Sequence, residues 1–306
     1  WCWSLETIMK HTNVHNLPKE IIRAVSNDSY SKGNSTISVT GLLQPPRLRI
    51  LKEECIDQIS TDVSDEVWKL LGQSVHAILE RANEGSNDTI TERRNYALIN
   101  GWTISGQTDS ISIKEKTLKD YKVTSSWSVM SAINNGKPEW EQQLNCYDWL
   151  HRQNDSKNII NQLEIITINR DWSKNQSLRS GGDYPKAPVS VIPIRKWSDE
   201  EQEQFVQDRV SLHQDAEAEF LVNGELPFCT DAETWKRNDS YRVIKKGRKS
   251  AVRVLDSQDL ADDFIAKHKD QDSLTVEFLK GEPIRCKDYC EVANFCSQYK
   301  QLEEEK

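Results

Sequence analysis

The chain has 306 residues, 36% of them hydrophobic and 29% charged, with ten Trp; that is the composition of a folded globular protein able to bury a sizeable core, and it excludes a disordered chain. No apolar run reaches membrane-spanning length, and Trp1-Cys2-Trp3 opens without the basic segment and apolar stretch of a secretion signal, so no membrane partner and a cytoplasmic location are expected. A net charge of −8 argues against a protein that coats nucleic acid, which must neutralise phosphates, although an enzyme can concentrate its cations locally.

Residues 1–36 read as a polar arm with one short helix from Pro18 to Val25, ending in the loop Ser31-Lys32-Gly33-Asn34-Ser35. A helix is expected over Ser38 to Leu51, interrupted by Pro45-Pro46, because proline removes a backbone donor and restricts the residue before it. Asp62 to Ala82 carries the clearest helical period, with Val67, Leu70, Leu71, Val75, Ile78 and Leu79 on one stripe and Ser64 as its expected N-cap. Gly72, His76 and Glu80, spaced by four, share a neighbouring face that is too polar for simple core.

From Glu92 to Thr124 the period falls to two, which predicts an antiparallel meander with a turn at Lys114-Glu115-Lys116. A helix follows from Pro138 to about Arg152, then strands at Leu163–Ile168 and Val189–Ile194. Ser198-Asp199-Glu200-Glu201 is a capping box for a long helix reaching about Leu221. Together these elements make an α/β core over residues 37–222.

Beyond Asn223-Gly224-Glu225-Leu226-Pro227, residues 223–306 read as a small α+β module. Strands are expected at Tyr241–Ile244, Ala251–Leu255 and Leu274–Leu279, and a helix at Ser257–Lys267. Arg242, Lys245, Lys246, Arg248, Lys249 and Arg253 concentrate positive charge there, either as a nucleic-acid contact or as a solvated turn. Of the seven cysteines, Cys2, Cys55 and Cys146 are scattered, whereas Cys286, Cys290 and Cys296 crowd together with Cys229 upstream. An odd total without a signal segment points to thiolate ligands rather than disulfides. Four thiolates can close a tetrahedral Zn²⁺ site or hold an iron-sulfur cluster, and spacing alone does not choose.

The chemistry concentrates on Asp109 and, eleven positions later, Asp120-Tyr121-Lys122. Alternate residues of a strand share a face, so Asp120 and Lys122 point the same way, and a hairpin brings Asp109 beside them. Two such carboxylates repel unless a cation lies between them, and hard oxygen donors suit Mg²⁺ or Mn²⁺. Lys122 then supplies a charge to stabilise a phosphoryl transition state. By itself the triplet is equally the pattern of a surface hairpin with one salt bridge.

Four motifs in order change that balance: Gly72-Gln-Ser-Val-His76, Gly106-Gln-Thr-Asp109, Asp120-Tyr-Lys122 and Gln143-Leu-Asn-Cys-Tyr147. Over about residues 38–220 the chain resembles the RecB-like branch of the PD-(D/E)XK nucleases. The resemblance implies a restriction-endonuclease-like core, with a mixed central sheet flanked by helices. It implies His76, Asp109 and Asp120 as metal ligands, Asp109, Asp120 and Lys122 as the catalytic set, and Gln143 and Tyr147 toward the DNA backbone. Glu80, one turn beyond His76, is either a support for that ligand or a solvated acid. Thr108 stands where the family name implies proline, and the second acid is Asp where many relatives carry Glu.

Relatives with a similar cysteine cluster use it for a 4Fe-4S cluster, which extends to Cys229, Cys286, Cys290 and Cys296, with Zn²⁺ as the alternative. In those relatives one ligand precedes the core, whereas here all four follow it. The whole chain, including Val39-Thr40-Gly41-Leu42, Pro45-Pro46-Arg47 and Lys245-Lys246-Gly247-Arg248-Lys249, looks like a phage-borne nuclease of this family. The implied function is a Mg²⁺- or Mn²⁺-dependent DNA exonuclease or end-processing enzyme, with phage recombination or replication proteins as partners. A structure-specific endonuclease and a non-catalytic DNA-binding scaffold are the alternatives.

Overall fold

A computed structural model describes residues 10–26 and 33–304. Trp1-Cys2-Trp3 and the start of the Ser31–Ser35 loop lie outside the described residues. The chain divides into two compact units: one runs up to Arg49 and again over Ile56–Leu226, and the other comprises Ile50–Cys55 and the chain from Pro227 onward.

In the first unit, β1 (Lys10–Thr12) pairs in parallel with β3 (Ser60–Asp62), and α1 (Lys19–Ser26) lies between them in sequence. The expected helix over Ser38–Leu51 is three elements: β2 (Ile37–Ser38), α2 (Val39–Leu42) and α3 (Pro46–Glu54), divided at Pro45-Pro46 because proline starts a helix more readily than it continues one. The second half of α3 with the following Cys55, Ile50–Cys55, groups with the second unit rather than with the core expected over residues 37–222.

Next come α4 (Val63–Ala82), β4 (Thr89–Ile99), β5 (Trp102–Ser112), β6 (Thr117–Thr124), α5 (Ser126–Asn135), α6 (Pro138–Asn154), β7 (Gln162–Asn169), α7 (Lys174–Arg179), β8 (Val189–Ile194) and α8 (Asp199–Asn223). The N-cap of α4 is Asp62, whose carboxylate accepts from the Ser64 N–H, so the cap lies two residues before the expected Ser64. The capping box at Ser198 and Glu201 is present at the start of α8.

The central sheet is mixed and runs β2-β5-β6-β7-β8, with β4 paired to β5. The β6–β7 pair is parallel, and α5 and α6 make the crossover that a parallel pair requires. The molecule is thus α/β, a mixed sheet flanked by helices. Its core joins Ile104, Ile111, Leu118, Leu163 and Ile165 of the sheet to Leu144, Trp149 and Leu150 of α6 and Val206 and Val210 of α8. The α4 stripe does not join it: Val63 is the buried residue of that helix, while Leu71 and Ile78 are exposed. This helix leans on the short α1 and on β5 and β6, so its apolar stripe is only partly covered.

In the second unit, an antiparallel sheet of order β10-β9-β11 is built from β9 (Ser240–Lys245), β10 (Ala251–Leu255) and β11 (Leu274–Leu279). Helix α9 (Gln258–Ala266) packs on it through Ala261 and Phe264 against Val243 and Leu274. Two short helices follow, α10 (Ile284–Asp288) and α11 (Ser297–Glu304). Among the described residues no helix is long and apolar enough to cross a membrane.

Candidate active site

Two local features of the β4–β5 hairpin set the geometry. Asn100 (φ +47°) and Gly101 (φ +79°) both adopt the left-handed conformation that a two-residue primed turn demands, so they fix the pairing of every residue behind them. Thr91 then lies opposite Ser110, Arg93 opposite Thr108 and Arg94 opposite Gln107, and the same register sets Glu92 across from Asp109. On its other edge β5 pairs Ser110 with Lys119 of β6, and one further step brings Asp109 level with Asp120.

The second feature is Gly106. A methyl group at this position would lie 2.7 Å from a Leu150 methyl carbon and 2.9 Å from the Tyr147 ring, closer than packed atoms approach. Its absence lets α6 pass directly over β5, and α6 carries Gln143 into the site.

His76, Asp109, Asp120, Lys122, Gln143 and Tyr147 all line one cleft of about 630 Å³, a volume typical of a site for a small molecule or nucleotide. Asp120 is buried, with its carboxylate 2.8 Å from Lys122 Nζ and its other oxygen accepting from Gln143 Nε2 at 3.2 Å. Gln143 also accepts from Lys122 Nζ at 3.0 Å and donates to the Tyr147 hydroxyl at 3.0 Å. Tyr147 itself is buried against the core. Asp109 accepts from the Tyr121 N–H at 2.7 Å and lies 3.4 Å from His76 Nδ1, while His76 Nε2 donates to the Tyr121 carbonyl at 3.1 Å. Glu80 lines the same cleft.

The electrostatics of the cleft are those of surplus negative charge. The hydrogen bond to Asp109 holds the His76 pKa above its ordinary value against the opposing effect of burial. Burial pushes the Asp120 carboxyl up, opposed by the Lys122 ammonium and reinforced by Asp109. Burial also raises Glu92, with Asp109 and Glu80 adding like-charge repulsion. All three shifts run toward proton uptake, driven by burial at Asp120 and Glu92 and by the Asp109 carboxylate at His76. Imidazole and carboxylate oxygens are a donor set for Mg²⁺ or Mn²⁺, so the residues present fit such a cation.

Glu92 is the residue that the sequence reading missed. Among the described residues, His76, Glu92 and Asp109 form the group of three whose ligand atoms all lie within 4.8 Å of one another, and neither Asp120 nor any cysteine belongs to such a group. The signal that could have found it was Asn100-Gly101, whose turn register pairs position 92 with position 109.

The four cysteines singled out in the sequence belong to the second unit. Cys229 is clasped to α11 by Gln298, which accepts from its N–H and donates to its carbonyl, both at 2.8 Å. Burial pushes the Cys286 thiol up to about 11, with smaller contributions from Cys290 and Cys296. Cys55 and Cys146 are free thiols.

No family model matches the chain, and no curated protein matches it. Among solved structures, one described as "Crystal structure of SSO0001" is similar at 18% identity, with a TM-score of 0.39, over 63% of this chain and 82% of its own.

Proposed function

We propose that the chain is a metal-dependent deoxyribonuclease of the PD-(D/E)XK type, hydrolysing phosphodiester bonds on a restriction-endonuclease-like core. The observation that carries this reading is the convergence of His76, Asp109, Asp120 and Lys122 on one cleft, with the buried Asp120 ion-paired to Lys122. His76, Asp109 and Asp120 would hold Mg²⁺ or Mn²⁺, which when bound supplies Lewis acidity and lowers the pKa of water.

The chain's own groups then have distinct tasks. Lys122 presents an ammonium where charge develops on a phosphate, and such preorganised stabilisation is commonly the largest catalytic contribution. Gln143 grips both Lys122 and Asp120 and is itself gripped by Tyr147, so α6 fixes the lysine relative to the acids. The Tyr121 N–H orients Asp109, and the Tyr121 carbonyl accepts a hydrogen bond from His76 Nε2, leaving Nδ1 toward Asp109. An exonuclease or end-processing role in phage replication or recombination, with DNA as substrate, belongs to the same proposal and rests on the resemblance of the four motifs. So does a 4Fe-4S cluster or Zn²⁺ at Cys229, Cys286, Cys290 and Cys296. Anaerobic purification with an absorption spectrum and metal analysis separates the two: colourless protein with stoichiometric zinc excludes the cluster.

The test of function is cleavage of labelled linear and circular DNA in Mn²⁺. Asp120→Ala should abolish cleavage while leaving the circular dichroism of the fold intact. Cleavage by this variant at the parental rate would sink the assignment. Cutting of circular DNA would replace an end-dependent enzyme with an endonuclease.

A further inference from the structure

Resting on the metal-centre reading above, we infer that Glu92 is a further ligand of the same cation, and that Gln107, braced by Arg94, is the residue that positions it. The hairpin register provides the first argument. Residues directly opposite in an antiparallel pair project to the same face, as do residues two apart on one strand. Glu92, Arg94, Gln107 and Asp109 therefore form a square on the face of β4 and β5 that lines the cleft.

Within that square the polar contacts run in one direction. Arg94 Nη2 donates to Gln107 Oε1 at 2.7 Å, and Gln107 Nε2 donates to one oxygen of Glu92. An amide rather than a lysine or arginine grips the carboxylate, and His76 is its cationic neighbour. Its acidic neighbours are Asp109 and Glu80, and it is half-buried. Carboxylates brought this close in a partly desolvated cleft repel strongly unless a cation sits among them.

The backbone supplies the third argument. Glu92 has φ +47°, a left-handed conformation that costs any residue with a Cβ, and it interrupts the ladder between the rungs 91–110 and 93–108. The register is the same on both sides of it, so no inserted residue accounts for this distortion. At this position the Glu92 carboxylate lies within 4.8 Å of ligand atoms of both His76 and Asp109. Strain of this kind persists where the position of a side chain matters.

The test is Mn²⁺ binding to the full metal-free chain by calorimetry, which needs no catalysis. Glu92→Gln should weaken binding at least tenfold, and Gln107→Leu should weaken it by roughly ten- to a hundredfold, the range for residues that orient a ligand. Glu92→Gly provides a control for folding, since glycine suits φ +47°. That variant should melt, metal-free, at or above the parental temperature and still lose Mn²⁺ affinity. Glu92→Gln and Glu92→Gly binding within twofold of the parent, while Asp109→Asn has lost binding, would overturn this inference and leave the metal centre standing. Parental affinity in both Asp109→Asn and Asp120→Asn would overturn the metal centre itself.

Discussion

Asp120 and His213 are two buried ionisable side chains that the fold stabilises in opposite ways. Asp120 keeps a partner of opposite charge, because a buried carboxylate without one costs several kcal/mol. His213 is kept neutral: it is fully buried, Arg49 Nε donates to its Nδ1 at 3.0 Å, and its Nε2 donates to the Leu42 carbonyl at 3.0 Å. Burial, with Arg49 and Arg209 nearby, pulls its pKa from 6.5 down to about 4 against the pull of the Leu42 carbonyl. The unfolded chain therefore binds this proton first as pH falls, so the stability His213 contributes is complete above pH 6.5 and is lost on the way down to about pH 4. Roughly 2–3 kcal/mol should disappear across that window from this group. Urea midpoints at pH 7.5 and 4.5 check it: the fall should be clearly smaller in His213→Gln, and an equal fall in both proteins would remove His213 as its cause. His213 was not legible as special from the sequence. A single imidazole carries no mark of its partners until the chain has brought segments as distant as Leu42 and Arg49 to it.

At the scale of elements, periodicity located β4 to β6, α6, β7, β8, α8, β9 to β11 and α9 with only small shifts of boundary, and did not find α10 or α11. It missed α5, whose sequence Ser-Trp-Ser-Val-Met-Ser-Ala alternates as readily as it spirals; its start is fixed by Ser125, which accepts from the Ser128 N–H. It also overstated the burial of α4, because an apolar stripe says which side of a helix is greasy and not how much protein lies against it. Motif spacing placed Asp109 beside Asp120 correctly, since β5 and β6 are joined by a short turn. The matching argument for Glu92 needed the β4–β5 turn to be recognised at Asn100-Gly101. The glycine of Gly106-Gln-Thr-Asp109 has a packing reason that the motif does not reveal. Gly106→Ala would drive a methyl group into Tyr147 and Leu150. It should cost about 1–3 kcal/mol, the usual range for overpacking, read as a lower melting temperature. Because Tyr147 holds Gln143, and Gln143 holds Lys122, the same change should lower cleavage by more than the stability loss explains. Stability and cleavage both at parental levels would show that α6 can yield without disturbing the site.

For the molecule as a whole, a net charge of −8 must be reconciled with the polyanionic substrate proposed for it. The cysteines were legible only as a count and a spacing, and charge is legible in the same limited way: the sequence shows where cations are dense, and the fold decides which remain exposed. In the cleft, Lys122 and Arg94 face an excess of carboxylates, so under the proposed function the cleft would position a phosphate through Lys122 rather than supply bulk affinity. In the second unit, Arg242 and Lys245 are paired with Glu277 and Asp270, whereas Lys246, Arg248 and Lys249 lie exposed on the turn around Gly247. Those three are the residues of the hairpin best placed to meet phosphates. Each phosphate neutralised on a duplex contributes about 0.9 to the slope of log affinity against log salt, and about 0.7 on a single strand. Replacing Lys246, Arg248 and Lys249 together by Ala should therefore reduce that slope by roughly 2–3 and weaken binding evenly across sequences. The measurement is DNA binding by fluorescence anisotropy at several salt concentrations in Ca²⁺, which occupies oxygen-donor sites while cleavage is kept slow. A slope unchanged from the parent would leave these cations as a solvated turn, and would confine DNA recognition to the first unit.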